Sequence, residues 1–467
     1  MTRTELPTDA RVVNIGLSLF AQAAAAQGAS VVQVDWRPPA DGDAEDVRAL
    51  TDLYGLRSVA LDAANAEVLR RLDQGVPQLV AVRTAADVVP GLGDRMLLHP
   101  GPPIAYADVC DPLRRSMRAA VVAEGWAGDV AAAEELLAGG EVRLGSANEH
   151  AAVVPMATAL GPSMPVWVVE NRDGGTTAYA PIGQGPGDVA WFGRESAAAV
   201  ERLVFLREVA GPRLARIVEQ VGPIDVFALA AQGVQMGDDV HMRTQASTNL
   251  FIRSVLPAIA ALGDDADSVA FAEYLAGNHL FFLTLAMAAA KSLTLWAERV
   301  EGSSIVTTMA RNGTTYGVKL AGSDRWHVTD SPPVGDALYY SGYGPEVAAP
   351  DIGDSAVLEL IGLGGPAAAG SAAVAAFLGG SMADAARATR EMQQICAAES
   401  TRFKIPTMDF RGTPVGVDVR KVVETGLTPK VNTGILHATD GSGQIGAGVA
   451  TAPLEGFRAA MLALREE

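Results

Sequence analysis

Cysteine is nearly absent from this chain: its 467 residues include two, Cys110 and Cys396, which lie far apart and outside any metal-ligand spacing. Neither a disulfide framework nor a zinc site is indicated, and we expect a protein of the reducing cytoplasm. Positive charge is also scarce, since 36 lysines and arginines face 54 aspartates and glutamates, for a net charge of −18. Such a chain repels polyphosphate backbones and anionic lipids, which argues against nucleic-acid and membrane-surface roles.

Long apolar runs are missing as well. The longest uncharged helical run ends at Lys291, short of the ~20 residues that a bilayer requires. The N-terminal residues MTRTELPTDARVV contain no apolar core of a secretory signal. The composition is otherwise that of a globular chain, 49% hydrophobic and 19% charged with 49 glycines. We therefore expect a soluble protein of roughly two to four domains.

The stretch from Gly277 to Leu320 predicts a buried helix followed by a hairpin. Residues Leu280 to Ala290 are apolar on all sides, Asn278 is a good N-cap residue, and Gly302 suits the left-handed position after a helix. The β-branched residues that follow and the dipeptide Asn312-Gly313 predict a tight hairpin turn. This stretch should therefore form a rigid support at the centre of the fold.

The turn of this hairpin is a candidate anion site. Arg311, Asn312 and Thr314 place a guanidinium, an amide and a hydroxyl side by side, and arginine offers two parallel donors to a phosphate or carboxylate. An ordinary exposed hairpin turn is the alternative interpretation. On the helix, Leu283 and Met287 lie in the apolar half, so we expect both in the core.

The remaining pattern predicts an α/β plus α+β fold in four parts. Strand, helix and strand over residues 11–36, with a third strand near 75–82, predict a Rossmann-like βαβ domain. The first turn of that unit has one glycine, so the dinucleotide fingerprint is missing and no cofactor is implied. The predicted parts are a Rossmann-like domain (1–95), an α+β domain (96–195), a mainly helical module (196–300) and an α+β C-terminal domain (301–467).

Two histidines are candidate proton carriers. Asp238, Asp239 and His241 can share a helix start, where a metal site is the less common alternative to an N-cap beside a hydrogen-bonded histidine. His150, which follows Asn148-Glu149, is a second candidate general base, although a lone histidine is more often structural. We predict no metal and no cofactor.

Six segments of the sequence together resemble the YlbE-like family. They are residues 12–43, MGDDVHMR (236–243), 277–291, 301–318, PDIGDSA (350–356) and 410–448. The best-understood members resemble one subunit of the three-part oxamate carbamoyltransferase of allantoin degradation. The resemblance implies a Rossmann-like N-terminal domain followed by α+β and helical modules. It also implies carbamoyl exchange between oxalurate and phosphate, giving oxamate and carbamoyl phosphate.

The resemblance further implies partners and residue roles. The chain would work with an FdrA-like subunit and a third carbamoyltransferase subunit, and His241 or His150 would move protons. The substrate would be held by Arg311, Asn312, Thr314, Asp238 and Asp239. A departure occurs at Asp188, where the family pattern implies a lysine, and loss of that cation weakens stabilisation of a phosphate. A non-catalytic scaffold or regulatory subunit is therefore the alternative.

Overall fold

Seventeen helices and seventeen strands are present in the computed structural model, which describes residues 11–34, 36–377 and 380–466. The helices are α1 Ser18–Ala26, α2 Ala44–Tyr54, α3 Ser58–Gln74, α4 Ala85–Val88, α5 Asp111–Ala123, α6 Val130–Ala138, α7 Ala197–Phe205, α8 Gly211–Val221, α9 Val226–Gln235, α10 Gln245–Ala260, α11 Ala266–Gly277, α12 Phe281–Ala297, α13 Val357–Leu360, α14 Ala372–Phe377, α15 Met382–Ile395, α16 Val419–Thr425 and α17 Leu454–Glu466.

The strands form a mixed α/β structure of several small sheets rather than one large sheet. They are β1 Arg11–Ile15, β2 Ser30–Val34, β3 Pro77–Thr84, β4 Met96–His99, β5 Arg143–Ser146, β6 Pro165–Asn171, β7 Thr176–Pro181, β8 Ile224–Asp225, β9 Val306–Asn312, β10 Thr315–Leu320, β11 His327–Asp330, β12 Val334–Tyr339, β13 Ile352–Gly353, β14 Cys396–Ile405, β15 Arg411–Val417, β16 Lys430–Leu436 and β17 Gln444–Thr451.

The N-terminal βαβ unit forms, but a Rossmann-like sheet around it is not confirmed. β1 and β2 pair in parallel, with Arg11 opposite Ser30, and α1 connects them. Within the described ranges, no further strand joins this pair. The predicted third strand forms as β3, yet it pairs antiparallel with β6 and β8. A Rossmann sheet needs its strands side by side and parallel, and α2 and α3 instead lead the chain into a different sheet.

The largest hydrophobic core surrounds α12 and an antiparallel sheet with the strand order β7-β6-β3-β8. Trp167 of β6 is buried there and donates its indole N–H to the hydroxyl of Thr284 on α12 at 3.0 Å. This sheet draws its strands from three of the four predicted parts, and the division at residues 95, 195 and 300 stays a prediction. A second core packs the sheet β11-β10-β9-β13 against α16 and α17.

The predicted central helix forms as α12, and Leu283 and Met287 are buried in it as expected. The helix begins at Phe281, and Asn278 does not cap it with its side chain. The Asn278 backbone carbonyl accepts the Phe281 N–H at 3.1 Å, while its amide turns toward the carbonyl of Gly183. Among the described helices, none alone is long and apolar enough to cross a bilayer. α11 and α12 reach that length and composition only as a pair bent by 78°.

Candidate functional site

The hairpin between β9 and β10 forms at Asn312-Gly313, but it is buried rather than exposed. Arg311 pairs across the hairpin with Tyr316, and both Arg311 and Asn312 are 0% exposed. Strand β13 lies on the other edge of β9, and the hydroxyl of Thr314 donates to the carbonyl of Asp108 at 2.9 Å. The expectation of an exposed turn is therefore wrong, because segments distant in the sequence cover it.

The Arg311 guanidinium is fully engaged inside the protein. Its Nε and Nη2 donate to the two carboxylate oxygens of Asp351 at 2.7 and 3.0 Å, and Nη1 donates to the carbonyl of Gly353 at 2.5 Å. Asp351 is also buried, so this is a two-bond ion pair shielded from water. Arg311 holds the PDIGDSA segment against β9, and its binding of a substrate anion stays a prediction.

Asp354 of the same segment ties together three loops. Its carboxylate accepts the backbone N–H of Gly101 at 2.8 Å and that of Val154 at 3.0 Å. Burial raises the pKa of Asp354 to about 7, although these two donors and the nearby Arg311 act in the opposite direction. Its neighbour Ser355 lines the cavity described next. Asp351 and Asp354 thus anchor the segment that carries Ser355.

Replacing Asp354 with Asn is expected to remove a component of the pH dependence of stability. The carboxyl has an ordinary pKa of 3.8 when unfolded and one of about 7 when folded. Between these values the folded state keeps a proton that the unfolded state has lost, so this group destabilises the fold as pH rises through the window. Urea unfolding at a series of pH values from about 4.5 to 8 measures how the free energy of unfolding changes with pH. The same pH dependence of the unfolding free energy in wild type and Asp354→Asn would contradict the prediction. Asp324→Asn, which changes an exposed aspartate, is the control.

A central cavity of about 610 Å³ lies between the α12 region and the C-terminal strands. Its walls are mostly apolar, with Trp191, Phe192 and Tyr339 among them. The described residues that line it include no lysine, arginine, aspartate or glutamate. Its polar lining is His241, His279, Ser355, Thr433, Ser442 and Gln444. Such a largely apolar cavity with a few polar groups is typical of a small-molecule site.

His241 is held on the wall of the central cavity by a buried carboxylate. Its Nδ1 lies 2.7 Å from Oε1 of Glu359, which is 0% exposed. The same oxygen also accepts the backbone N–H groups of Gly365 and Asn432, both at 3.3 Å. Because Oε1 acts as an acceptor, Nδ1 carries the proton and Nε2 of the neutral ring is left as the acceptor. This arrangement suits His241 to take a proton.

The loop that carries His241 has a demanding backbone conformation. Val240, just before it, adopts a φ of +63°, which is uncommon for a β-branched residue. Gly364 packs against the pair, and a β-carbon there would lie 2.0 Å from Oε1 of Glu359. Only glycine therefore fits beside the His241–Glu359 contact.

The carboxylates of Asp238 and Asp239 hold this loop in place through hydrogen bonds. Asp238 accepts the backbone N–H and the hydroxyl of Ser247, in the first turn of α10, at 2.7 and 2.9 Å. Asp239 accepts the backbone N–H of Arg243 at 2.7 Å and the side-chain amide of Asn432 at 2.5 Å. Burial raises the pKa of Asp239 despite these donors. Both carboxylates are fully buried and bonded within the chain, and a substrate-binding role for them stays a prediction.

His150 is not among the residues that line the central cavity. It ends a short 3₁₀ turn, and its Nδ1 lies 2.6 Å from the carbonyl of Pro90. Its role as a general base stays a prediction.

Sequence reasoning missed Glu359 and Asn432. Glu359 lies 118 residues from His241, and Asn432 lies 193 residues from Asp239. Glu359 follows the PDIGDSA segment closely, which is the one sequence signal that could have drawn attention to it. Nothing local indicates that either side chain reaches the His241 loop.

The family model described as "Oxamate carbamoyltransferase subunit AllG" matches residues 142–355. The oxamate carbamoyltransferase subunit AllG of Escherichia coli strain K12 is 38% identical over 409 residues, which cover 86% of this chain and 97% of that protein. The chain belongs to the AllG family. The matched range includes the His241 loop and the Arg311 hairpin, and it ends before Glu359.

Two further similarities cover most of the chain. The uncharacterized protein YahG of the same E. coli strain is 34% identical over 454 residues, 97% of this chain and 96% of that protein. A crystal structure of a conserved protein of unknown function from Enterococcus faecalis V583 has a TM-score of 0.84 and 34% identity. The match covers 87% of this chain and 97% of the E. faecalis chain. This AllG-family fold is therefore shared with a solved structure.

Proposed function

We propose that this chain is a subunit of a carbamoyltransferase complex and that its central cavity takes part in carbamoyl exchange. Membership of the AllG family supports the enzyme class. The observation in the chain that carries the proposal is His241, which lies on the cavity wall with Nδ1 fixed 2.7 Å from buried Glu359. A histidine oriented by a carboxylate is a common proton carrier in group transfer.

The reaction we propose is exchange between oxalurate and phosphate. A phosphate oxygen attacks the ureide carbonyl carbon, and the bond from that carbon to the oxamate nitrogen breaks. The proton that hydrogen phosphate loses ends on the leaving nitrogen, so oxamate and carbamoyl phosphate form with atoms and charge balanced. Nε2 of His241 is suited to take this proton and return it, because Glu359 stabilises the imidazolium that forms in between.

Phosphate also needs a cation, which the described lining of the central cavity does not supply. Asp188, where the family resemblance implies lysine, is paired with Arg194 at 2.7 Å, and Arg194 also donates to the carbonyl of Gly441. That guanidinium is therefore already engaged. We propose that an FdrA-like subunit and a third subunit complete the site and bring the missing positive charge.

Reconstitution tests this function. We expect the chain, co-purified with the FdrA-like and third subunits, to convert oxalurate and phosphate to carbamoyl phosphate, measured through carbamate kinase as ATP. Each omission should reduce turnover to background, because the site needs groups from more than one chain. Equal turnover by the single chain would refute the shared site. A complete complex inactive on oxalurate and related ureides would refute the reaction.

A further inference from the structure

A second cavity, of about 500 Å³, adjoins the central one. Pro186 belongs to the walls of both. Gly185 and Asn278 line the second cavity, and their sequence neighbours Gly187 and His279 line the central one. Residues 185–187 and residues 278–279, just before α12, therefore separate the two cavities. The proton chemistry proposed for His241 uses none of the groups in the second cavity.

Arg202 on α7 presents an unpaired guanidinium to this cavity. Its guanidinium carbon lies 5.7 Å from the ring centres of both Phe205 and Tyr274, within the range of a cation–π contact. Within the described part of the chain, no carboxylate or carbonyl accepts a hydrogen bond from the side chain of Arg202. These cation–π contacts leave the guanidinium N–H groups without hydrogen-bond partners, and a guanidinium can donate two parallel bonds to a carboxylate.

Asn278 supplies a second, independent sign of a ligand. Its side chain is 1% exposed, and Nδ2 donates to the carbonyl of Gly183 at 3.3 Å. The carbonyl oxygen of Gly183 can only accept hydrogen bonds, and the hydroxyl of Tyr274 also donates to it, so Nδ2 and not Oδ1 is the end of the amide that pairs there. Oδ1 of Asn278 has no partner among the described residues. A buried acceptor without a donor is unfavourable, so a ligand that donates an N–H group to Oδ1 of Asn278 is favoured.

The other charged residues of the second cavity restrict which anion it can bind. Glu201 and Glu273 also line the cavity, and both are exposed. The lining of the second cavity thus carries one guanidinium and two carboxylates, which repel a phosphate dianion more strongly than a monocarboxylate. We infer that the second cavity binds a small monocarboxylate with an N–H group on the adjoining carbon. Its carboxylate lies on Arg202 and its N–H on Oδ1 of Asn278.

Oxamate, pyruvate, glycine and inorganic phosphate are the probes, each titrated calorimetrically into the isolated full chain. Oxamate and pyruvate have the same planar skeleton, and oxamate carries an NH2 group where pyruvate carries a methyl group. We expect oxamate to bind about tenfold or more tightly than pyruvate, because only oxamate satisfies Asn278. Glycine tests whether the site prefers an amine to the amide of oxamate. The site is supported if either oxamate or glycine binds more tightly than both pyruvate and phosphate.

Variants locate the binding. Arg202→Ala should weaken oxamate binding by about tenfold or more, and Arg202→Lys should restore part of it because it keeps charge without the planar fork. Arg216→Ala removes an exposed arginine on α8 that lines neither cavity, and it should bind as wild type does. If the N–H ligand that binds more tightly has the same affinity for wild type and Arg202→Ala, the site is overturned. It is also overturned if neither oxamate nor glycine binds more tightly than pyruvate, or if no probe binds at ~10 mM. This assay reads binding to one chain, so its failure is distinct from failure of carbamoyl transfer in the complex.

Discussion

Replacing His241 with Asn is expected to lower kcat/KM for oxalurate phosphorolysis by about 10²–10⁴-fold in the reconstituted complex. The Asn amide can keep a donor near the position of Nδ1, 2.7 Å from Glu359, so the buried carboxylate retains a partner. It has no basic nitrogen at the position of Nε2, so the proton can no longer pass through this residue. Initial rates across oxalurate and phosphate concentrations, with the melting temperature of the complex, make the measurement.

Two companion variants sharpen this test. Glu359→Gln keeps the side-chain volume but loses the carboxylate that orients His241, so kcat should fall by a smaller factor, about 10–10²-fold, with little change in KM. His150→Asn distinguishes the two histidine candidates, and we expect the larger loss in His241→Asn. Full activity of His241→Asn beside an inactive His150→Asn would assign the proton transfer to His150 and refute the proposed site.

Replacing Arg311 with Ala is expected to reduce the free energy of unfolding by about 3–5 kcal/mol, because it leaves a buried charge unpaired. Asp351 is 1% exposed and would lose both of its bonds from Arg311, and the carbonyl of Gly353 would lose a donor. On an ordinary exposed turn, the alternative interpretation of the sequence, the same change would cost little. Urea unfolding at pH 7, followed by tryptophan fluorescence and far-UV circular dichroism, gives the change.

The chain contains a matched exposed pair as control. Arg387 lies 2.8 Å from Asp384 on α15, and its side chain is 61% exposed. Arg387→Ala should therefore cost at most about 1 kcal/mol. Arg311→Lys should lie between the two alanine variants, since an ammonium keeps the charge but cannot make both bonds to Asp351 and the bond to Gly353. Similar unfolding midpoints for Arg311→Ala and Arg387→Ala would show that the buried ion pair does not stabilise the fold.

Local elements were accessible to prediction because short-range physics decides them. The βαβ unit of β1, α1 and β2 follows from alternating strand and helix patterns with a closing glycine, and it forms. The β9–β10 hairpin follows from β-branched residues around Asn312-Gly313. The apolar run of α12 placed Leu283 and Met287 in the core correctly. His241 was identified through the polar cluster in its own segment.

The sequence by itself thus determined the local elements, the absence of a dinucleotide fingerprint and the family resemblance. Which strands pair, and which polar side chains leave water, only the tertiary structure decided. β3 joins β6 rather than β2, and Arg311 is buried, because segments 40 or more residues away supply their partners. The same holds for Glu359, 118 residues from His241. Burial and hydrogen bonding depend on contacts between segments far apart in the sequence, and local residue patterns do not predict those contacts.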